Sequence, residues 1–423
     1  MRLKLVGVEI GGYDILASIC LTTLPWTLKG NSISLIIFFV SVGYLMVSNK
    51  ERINLSFKTI SLASTFFLVA FLWLLSTSNI LYGLNYLLRI ISGFLLPFFL
   101  AGLFSLAKIR IKSVVLLFFV SCLLRYSLFL FEVIELELIF ILDYWIEVTL
   151  QFNQLFNEKA LHTTYFSMFL GFCSLSAYHF IKQSRAGQKM IWAFVLFSSL
   201  LMSFTLMAKM PFLANCLVIV FWLLKDFFQS ESVAMKTMSI SSIVVLTLYF
   251  IMFPNPFKQD VINYMKIVNN ENAIDVYDYD KVGLKSNLEN WEKTNRLHIW
   301  KTSIETLKGN WLFGSGTGDI DDEMYEAYKK LNKTYFLKYP ANTHNQYLDY
   351  FIRYGILGFL IIILSFGFYF FMAIKHNQHV YLGFLVLVAM CCLTENILNR
   401  QFGIVFFFFF NSFFLLICQT DFE

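Results

Sequence analysis

The chain has 423 residues, of which 58% are hydrophobic, 18% aromatic and only 14% charged, with a formal net charge of +5. That balance excludes an ordinary soluble domain and points to an integral membrane protein. Continuous apolar runs without period-two alternation also exclude a transmembrane β-barrel.

In chain order, runs of the ~20 residues needed to cross a ~30 Å hydrocarbon core as helices predict twelve spans, at 13–28, 33–48, 59–77, 90–107, 113–131, 163–181, 190–207, 210–228, 237–253, 354–374, 380–398 and 402–418. The expected fold is therefore an all-α integral membrane protein. Its parts are residues 1–253 with spans one to nine, a large external segment at 254–345, and 346–423 with the last three spans. With the N-terminus inside, the inner segments carry fourteen Lys/Arg, among them Lys50, Arg52, Lys108, Arg110, Lys182 and Arg185, against five in the short outer ones (Lys29, Arg89, Lys159, Lys209 and Arg400). This positive-inside bias predicts both termini in the cytoplasm. Segment 254–345 then lies outside, where its twelve Lys/Arg and thirteen Asp/Glu nearly cancel, so the net charge implies no nucleic-acid partner. Arg2 and Lys4 precede an apolar run with no small-x-small cleavage site, as in a signal anchor.

Between spans, 132–162 mixes Glu132, Glu135, Glu137, Asp143 and Glu147 with apolar residues, the pattern of a helix in the interface with Tyr144 and Trp145 at headgroup level. After Pro254 and Pro256 a polar stretch reads as loop to about Asn290. Leu297, Trp300, Ile304 and Leu307 then recur at three- and four-residue spacing, predicting an amphipathic helix from Asn295 to Leu307. Gly314-Ser315-Gly316-Thr317-Gly318 breaks the chain, and Asp321–Leu331 reads as a second helix with acids in its first turn. Phe406 to Phe410 is a lipid-facing or packing run. All seven cysteines (20, 122, 173, 216, 391, 392 and 418) fall in predicted helices and read as small core residues, with no disulfide framework or zinc spacing outside.

The polar residues at the outer helix ends carry the chemistry. Asn342-Thr343-His344-Asn345-Gln346-Tyr347 stands where the external segment meets an apolar run, with Arg353 just beyond. Lys209 sits in a minimal turn, Arg296 begins the amphipathic helix, and Arg400 follows the eleventh span. Each cation either snorkels to lipid headgroups or belongs to a shared anion site, since Arg forks and Lys point charges are the usual phosphate binders. The positive-inside rule leaves Lys209 and Arg400 in need of a reason to be there. His162 and His344 are either satisfied interfacial histidines or site groups, and the polar flanks of His344 favour the second. The glycine cluster lacks the Lys-Ser/Thr of a P-loop and reads as a tight turn. Asp278-Tyr279-Asp280 mimics a nucleotide-sugar metal motif but lies outside, away from nucleotide sugars. Asp319, Asp321, Asp322 and Glu323 lack the EF-hand glycine and twelfth-position glutamate and read as helix N-terminal acids.

His344-Asn345-x-Tyr347-Leu348 followed by Gly355-x-x-Gly358, after a large external loop, resembles the O-antigen ligase and O-antigen polymerase superfamily. Arg296-x-x-x-Trp300, the Gly314-x-Gly316-x-Gly318 turn, His162-Thr163-Thr164-Tyr165-Phe166 and Glu395 to Gly403 add to the resemblance, which covers about residues 160–415. It implies a GT-C-like, metal-independent glycosyltransferase without cofactor in a bacterial inner membrane. The large loop would be periplasmic, and the enzyme would take glycans from undecaprenyl diphosphate to a lipid A–core or growing-glycan acceptor. Carried over by position, Arg296 and His344 become catalytic, and Lys209, Arg296 and Arg400 bind the diphosphate. His162, Asn345, Tyr347, Arg353 and Glu395 support them. Lys209 stands where many members have Arg. Polymerisation of repeat units, transfer to a protein, and a flippase or transporter without catalysis are the competing readings. The last is disfavoured because ionisable residues gather at the outer helix ends rather than at the bilayer midplane.

Overall fold

The computed structural model describes residues 2–5, 8–133, 162–206, 208–229, 237, 288–333, 336–337 and 340–420. It opens on an antiparallel hairpin, β1 (Arg2–Leu5) and β2 (Val8–Gly11), in register Arg2↔Gly11 to Leu5↔Val8. The all-helical expectation misses this hairpin, although Leu3, Leu5, Val8 and Ile10 alternate with polar residues and Val8 and Ile10 are buried. Helices follow as α1 (Gly12–Thr22), α2 (Leu28–Ser48), α3 (Phe57–Ala63), α4 (Thr65–Leu72), α5 (Ile80–Ile90), α6 (Ser92–Leu106) and α7 (Ile111–Val133). Next come α8 (Thr163–Gln183), α9 (Ala186–Thr205), α10 (Lys209–Gln229), α11 (Leu288–Asn310), α12 (Ile320–Lys330), α13 (Gln346–Lys375), α14 (His379–Cys391) and α15 (Gln401–Thr420).

Among the described residues, seven helices are long and apolar enough to cross a membrane, or eight if the pair α3 and α4, bent by 71°, counts as one span. This is an all-α membrane architecture, with fewer full-length apolar spans than the twelve expected. Three expected spans differ for identifiable reasons. The helices α1 and α14 have only 11 and 13 residues. The 21-residue α8 is too rich in Ser and Thr to look lipid-facing, and it is buried along most of its length. Its Ser167 bonds Ser203 of α9 at 2.5 Å, and Ser174 bonds Asn215 of α10 at 2.9 Å. The expected span 237–253, apart from its first residue, the interfacial segment at 134–161 and Asp278-Tyr279-Asp280 lie outside the described residues.

The centre of the bundle is α15, and its phenylalanine run is packing rather than lipid-facing. Phe406 to Phe410 are all buried. Phe406 meets Phe169 of α8 at 4.9 Å, Phe407 meets Phe366 of α13 at 5.6 Å, and Phe408 meets Phe66 of α4 at 6.0 Å. Phe410 meets Phe172 at 4.1 Å. Rings at these separations add to the burial term through edge-to-face and offset contacts. Gly93 of α6 lets Phe408 approach, since a Cβ there would lie 2.9 Å from its ring.

One further device positions the outer end. At Gly355 (φ 57°, ψ −169°) α13 breaks, and the break is completed by the glycine turn after α11. Ser315 N donates to Ile352 O at 2.8 Å and Gly316 N to Arg353 O at 2.9 Å. In exchange, Ile356 N donates to Trp311 O at 2.8 Å and Leu357 N to Leu312 O at 3.3 Å. Backbone groups orphaned by the break thus regain partners, as buried amides and carbonyls must. Only glycine fits: a Cβ on Gly355 would stand 2.5 Å from Gly314 N, at a φ that side chains disfavour. The same turn docks on α4 and α5. Trp73 Nε1 donates to Phe313 O at 2.6 Å, Thr317 Oγ1 to Ala70 O at 2.6 Å, and Asp319 accepts from Ser78 N and Asn79 N, both at 2.7 Å. The acids read from sequence as helix N-terminal groups of α12 therefore serve a second helix as well. Asp319 holds the residues just before α5, whose N-cap is Asn79, Asp321 takes the Tyr82 hydroxyl, and Asp322 accepts from Asn79 Nδ2 at 3.2 Å.

Candidate functional site

Two helices that are not among the candidate spans, α11 and α12, bring groups to the start of α13. The helix α11 begins at Leu288, well before the Asn295 expected, so Arg296 lies in its third turn rather than at its start. Its buried face carries Ile299, Thr302 and Ser303, while Ile304 points outward at 55% exposure. Ile299 packs with Ile320, Met324 and Tyr328 of α12, with Phe336, and with Ile352 of α13 in a small satellite core. Arg296 and Trp300, one helical turn apart, share a face. Trp300 Nε1 donates to Thr343 O at 3.1 Å, and Arg296 reaches Glu395.

Glu395, in the turn after α14, is the hub. Its Oε1 accepts from Arg296 at 3.2 Å, its Oε2 faces His344 Nδ1 at 3.3 Å, and its side chain is 15% exposed. Burial alone would raise its pKa. The hydrogen bond and charge of His344, with the charges of His162 and Arg296, outweigh burial and hold it below its ordinary value. An ionised carboxylate only accepts, so His344 Nδ1 carries the proton and, in the neutral ring, Nε2 is left with a lone pair.

His344 stands at φ 44°, with its N–H donated to Asn342 Oδ1 at 3.0 Å. A left-handed backbone is uncommon for a residue other than glycine, and such strain gathers at working sites. Asn345 then caps α13, its Oδ1 accepting from Tyr347 N at 2.9 Å and Leu348 N at 3.1 Å. His162 caps α8 with Nδ1 accepting from Thr164 N at 3.3 Å, so its neutral ring is a donor at Nε2. Although His162 is exposed at its edge, surrounding protein lowers its pKa from 6.5. Burial is the first cause, and Arg400, His344 and Arg296 add to it against Glu395. Arg296, His344 and Glu395 are thus in direct contact, and His162 lies near enough for the charges of Glu395, Arg400, His344 and Arg296 to act on its ring. Arg400 precedes α15, with its side chain exposed.

The remaining expected site residues have other surroundings. Arg353 is 4% exposed and donates to Asp349 at 2.9 Å and to the Thr317 carbonyl, with its guanidinium 4.3 Å from the Tyr86 ring centroid. It holds the glycine turn and is not open to a ligand. Tyr347 donates its hydroxyl to Ala389 O at 2.8 Å, which ties α13 to α14. Lys209 opens α10. Asn215, about two turns further along α10, accepts from Ser174 of α8 at 2.9 Å, so the two helices pack side by side. Sequence reasoning missed the scaffold beneath His344. Thr343 Oγ1 donates to Asn396 Oδ1 at 3.0 Å, and Asn396 Nδ2 to Asp349 Oδ1 at 3.2 Å. Gln346 Oε1 accepts from Leu398 N at 2.7 Å. Asp349 lies four residues before Arg353, and that spacing was the one available signal.

The described residues thus form a polytopic helical membrane protein that holds a carboxylate between a histidine and an arginine at one end of its bundle. Residues 191–363 match the family model described as O-antigen ligase. The match takes in Lys209, Arg296 and His344, and it leaves out His162, Glu395 and Arg400. No curated protein matches the chain. The family is one of glycosyltransferase-like membrane enzymes working on lipid-linked glycans.

Proposed function

We propose that the protein transfers a glycan from undecaprenyl diphosphate to a lipid A–core acceptor at the periplasmic face of a bacterial inner membrane, without metal or cofactor. In this reading the chain has twelve spans with both termini inside. The supporting observation is the placement of Glu395 between His344 and Arg296. It orients one ring nitrogen of His344 and leaves the other as a base, while Arg296 supplies positive charge beside it.

The acceptor hydroxyl oxygen attacks the anomeric carbon and its proton passes to His344 Nε2. Glu395 stabilises the imidazolium that results. The bond from the anomeric carbon to phosphate oxygen breaks, its electron pair leaves with the diphosphate, and the anomeric centre inverts. Arg296 and Arg400 meet the growing negative charge, His162 donates from Nε2, and Lys209 adds positive charge from the start of α10.

The test is turnover of an undecaprenyl-diphosphate-linked glycan by purified protein in EDTA. His344→Ala and Arg296→Ala should lose transfer and keep the fold, whereas full activity in either variant, or strict metal dependence, overturns the mechanism. In a deletion strain, loss of all polymer from lipid A–core supports a ligase, and single-repeat glycans on the core identify a polymerase instead.

A further inference from the structure

Trp311, Leu312 and Phe313, just after α11, are 59%, 37% and 53% exposed. Three large apolar side chains in succession on a polar external segment are costly in water, at about 25 cal/mol per Å² of apolar surface. They are not loose. Carbonyls of all three are fixed, by Ile356 N, by Leu357 N and by Trp73 Nε1 at 2.6 Å. The main chain is thus spent on the break in α13 and on α4, and the side chains are left facing outward.

Their surroundings identify what covers them. Leu357, Leu360, Ile361 and Leu364 of α13 are 40%, 45%, 41% and 70% exposed, and they are the lipid-facing stripe of a membrane helix. Leu72 and Leu75, at the end of the bent pair, are 54% and 90% exposed. Because Trp311 and Leu312 bond to Ile356 and Leu357, the three residues continue that stripe at its upper edge. Aromatic side chains favour this level of a bilayer.

We propose that Trp311, Leu312 and Phe313 form a wedge inserted into the near leaflet of the membrane, and that it fixes the depth of the external helices α11 and α12. The helix carrying Arg296 is then mounted on lipid as well as on protein. The partner is the acyl and headgroup boundary of the bilayer. This inference rests on the chain spanning a membrane and is independent of the reaction it performs.

Site-directed spin labelling of the full chain in lipid nanodiscs tests it. All seven native cysteines are buried, so Phe313→Cys can be labelled selectively, and its clamp uses the carbonyl rather than the ring. Leu364→Cys supplies the lipid reference, and Tyr325→Cys on α12, 44% exposed, the aqueous one. The label at 313 should give an oxygen-to-nickel-chelate collision ratio severalfold above that at 325 and equal to that of Leu357→Cys, at the level of the wedge, with 364 as the deep limit. A collision ratio matching 325 overturns the proposal. Trp311→Cys gives an independent second reading should the 313 variant fold poorly.

Discussion

Replacing Glu395 with Gln keeps the shape of the side chain and removes its charge. At 3.2 Å from Arg296, two unit charges attract by about 5 kcal/mol at an effective dielectric of ~20. Arg296 is 42% exposed, so solvent and side-chain entropy reduce that to ~1 kcal/mol of stability. The larger effect falls on His344. A Gln amide can turn its NH₂ toward Nδ1, which then accepts, and the ring proton moves to Nε2. The base is lost while the ring stays in place. Glu395→Gln should therefore lower kcat by about 10²–10³-fold, the share a positioned base supplies, with KM for the lipid-linked donor little changed. The assay is steady-state release of lipid diphosphate by purified protein, beside a thermal unfolding curve. A variant with parental kcat, or one whose activity falls only in step with its folded fraction, would refute the base-orienting role.

Four further outcomes are expected. Gly355→Ala should cost about 2 kcal/mol or more, because a side chain at φ 57° is strained and its Cβ meets Gly314 N at 2.5 Å; an unchanged thermal midpoint would deny the backbone splice. Arg353→Met should cost about 3 kcal/mol by leaving Asp349 charged and buried, and Asp349→Asn added to it should restore most of that loss. The pKa of Glu395 is depressed, so its stabilising contribution is complete above its ordinary value of 4.5 and fades as pH falls through the lower folded value. The stability gap between parent and Glu395→Gln should then close below pH 4.5, and a constant gap would exclude the ion pairs. Lys209→Arg should retain transfer and Lys209→Ala should lose most of it at unchanged expression; equal activity in the two would remove Lys209 from the diphosphate.

Much of the bundle was legible because hydropathy is local. The helices α7, α10 and α15 begin and end within about two residues of the runs that predict them and α2 and α9 within about five, whereas α13 starts at Gln346, eight residues before its run, because the mixed polar stretch Gln346 to Arg353 hides its first turns from hydropathy. What pairs residues far apart was not legible. Gly355 and Gly314 to Gly318 read separately as a small-residue spacing and a turn, and nothing in either announces that one completes the other across some forty positions. Arg353 was grouped with the exposed cations since hydropathy cannot see that Asp349, Thr317 and Tyr86 close over it. Likewise, the phenylalanine run gives the same pattern whether it faces lipid or protein, and only the rings of α4, α8 and α13 around it decide. For the site, His344 and Arg296 stood out as polar groups at helix mouths. Glu395 came only through resemblance, its pairing with both unmarked by any local signal.

The splice at Gly355 also bears on how such proteins can be recombined. A surface loop can usually be exchanged between relatives, because its ends are the only parts that must match. Residues 311–318 are different, for they supply hydrogen bonds to a membrane helix that is incomplete without them, and to α4 and α5 besides. A chimera joined between Asn332 and Asn342 would separate the turn from the break it fills. Segments 70–83, 311–319 and 346–358 therefore form one unit of exchange. Crossovers that keep them from a single parent should give folded hybrids.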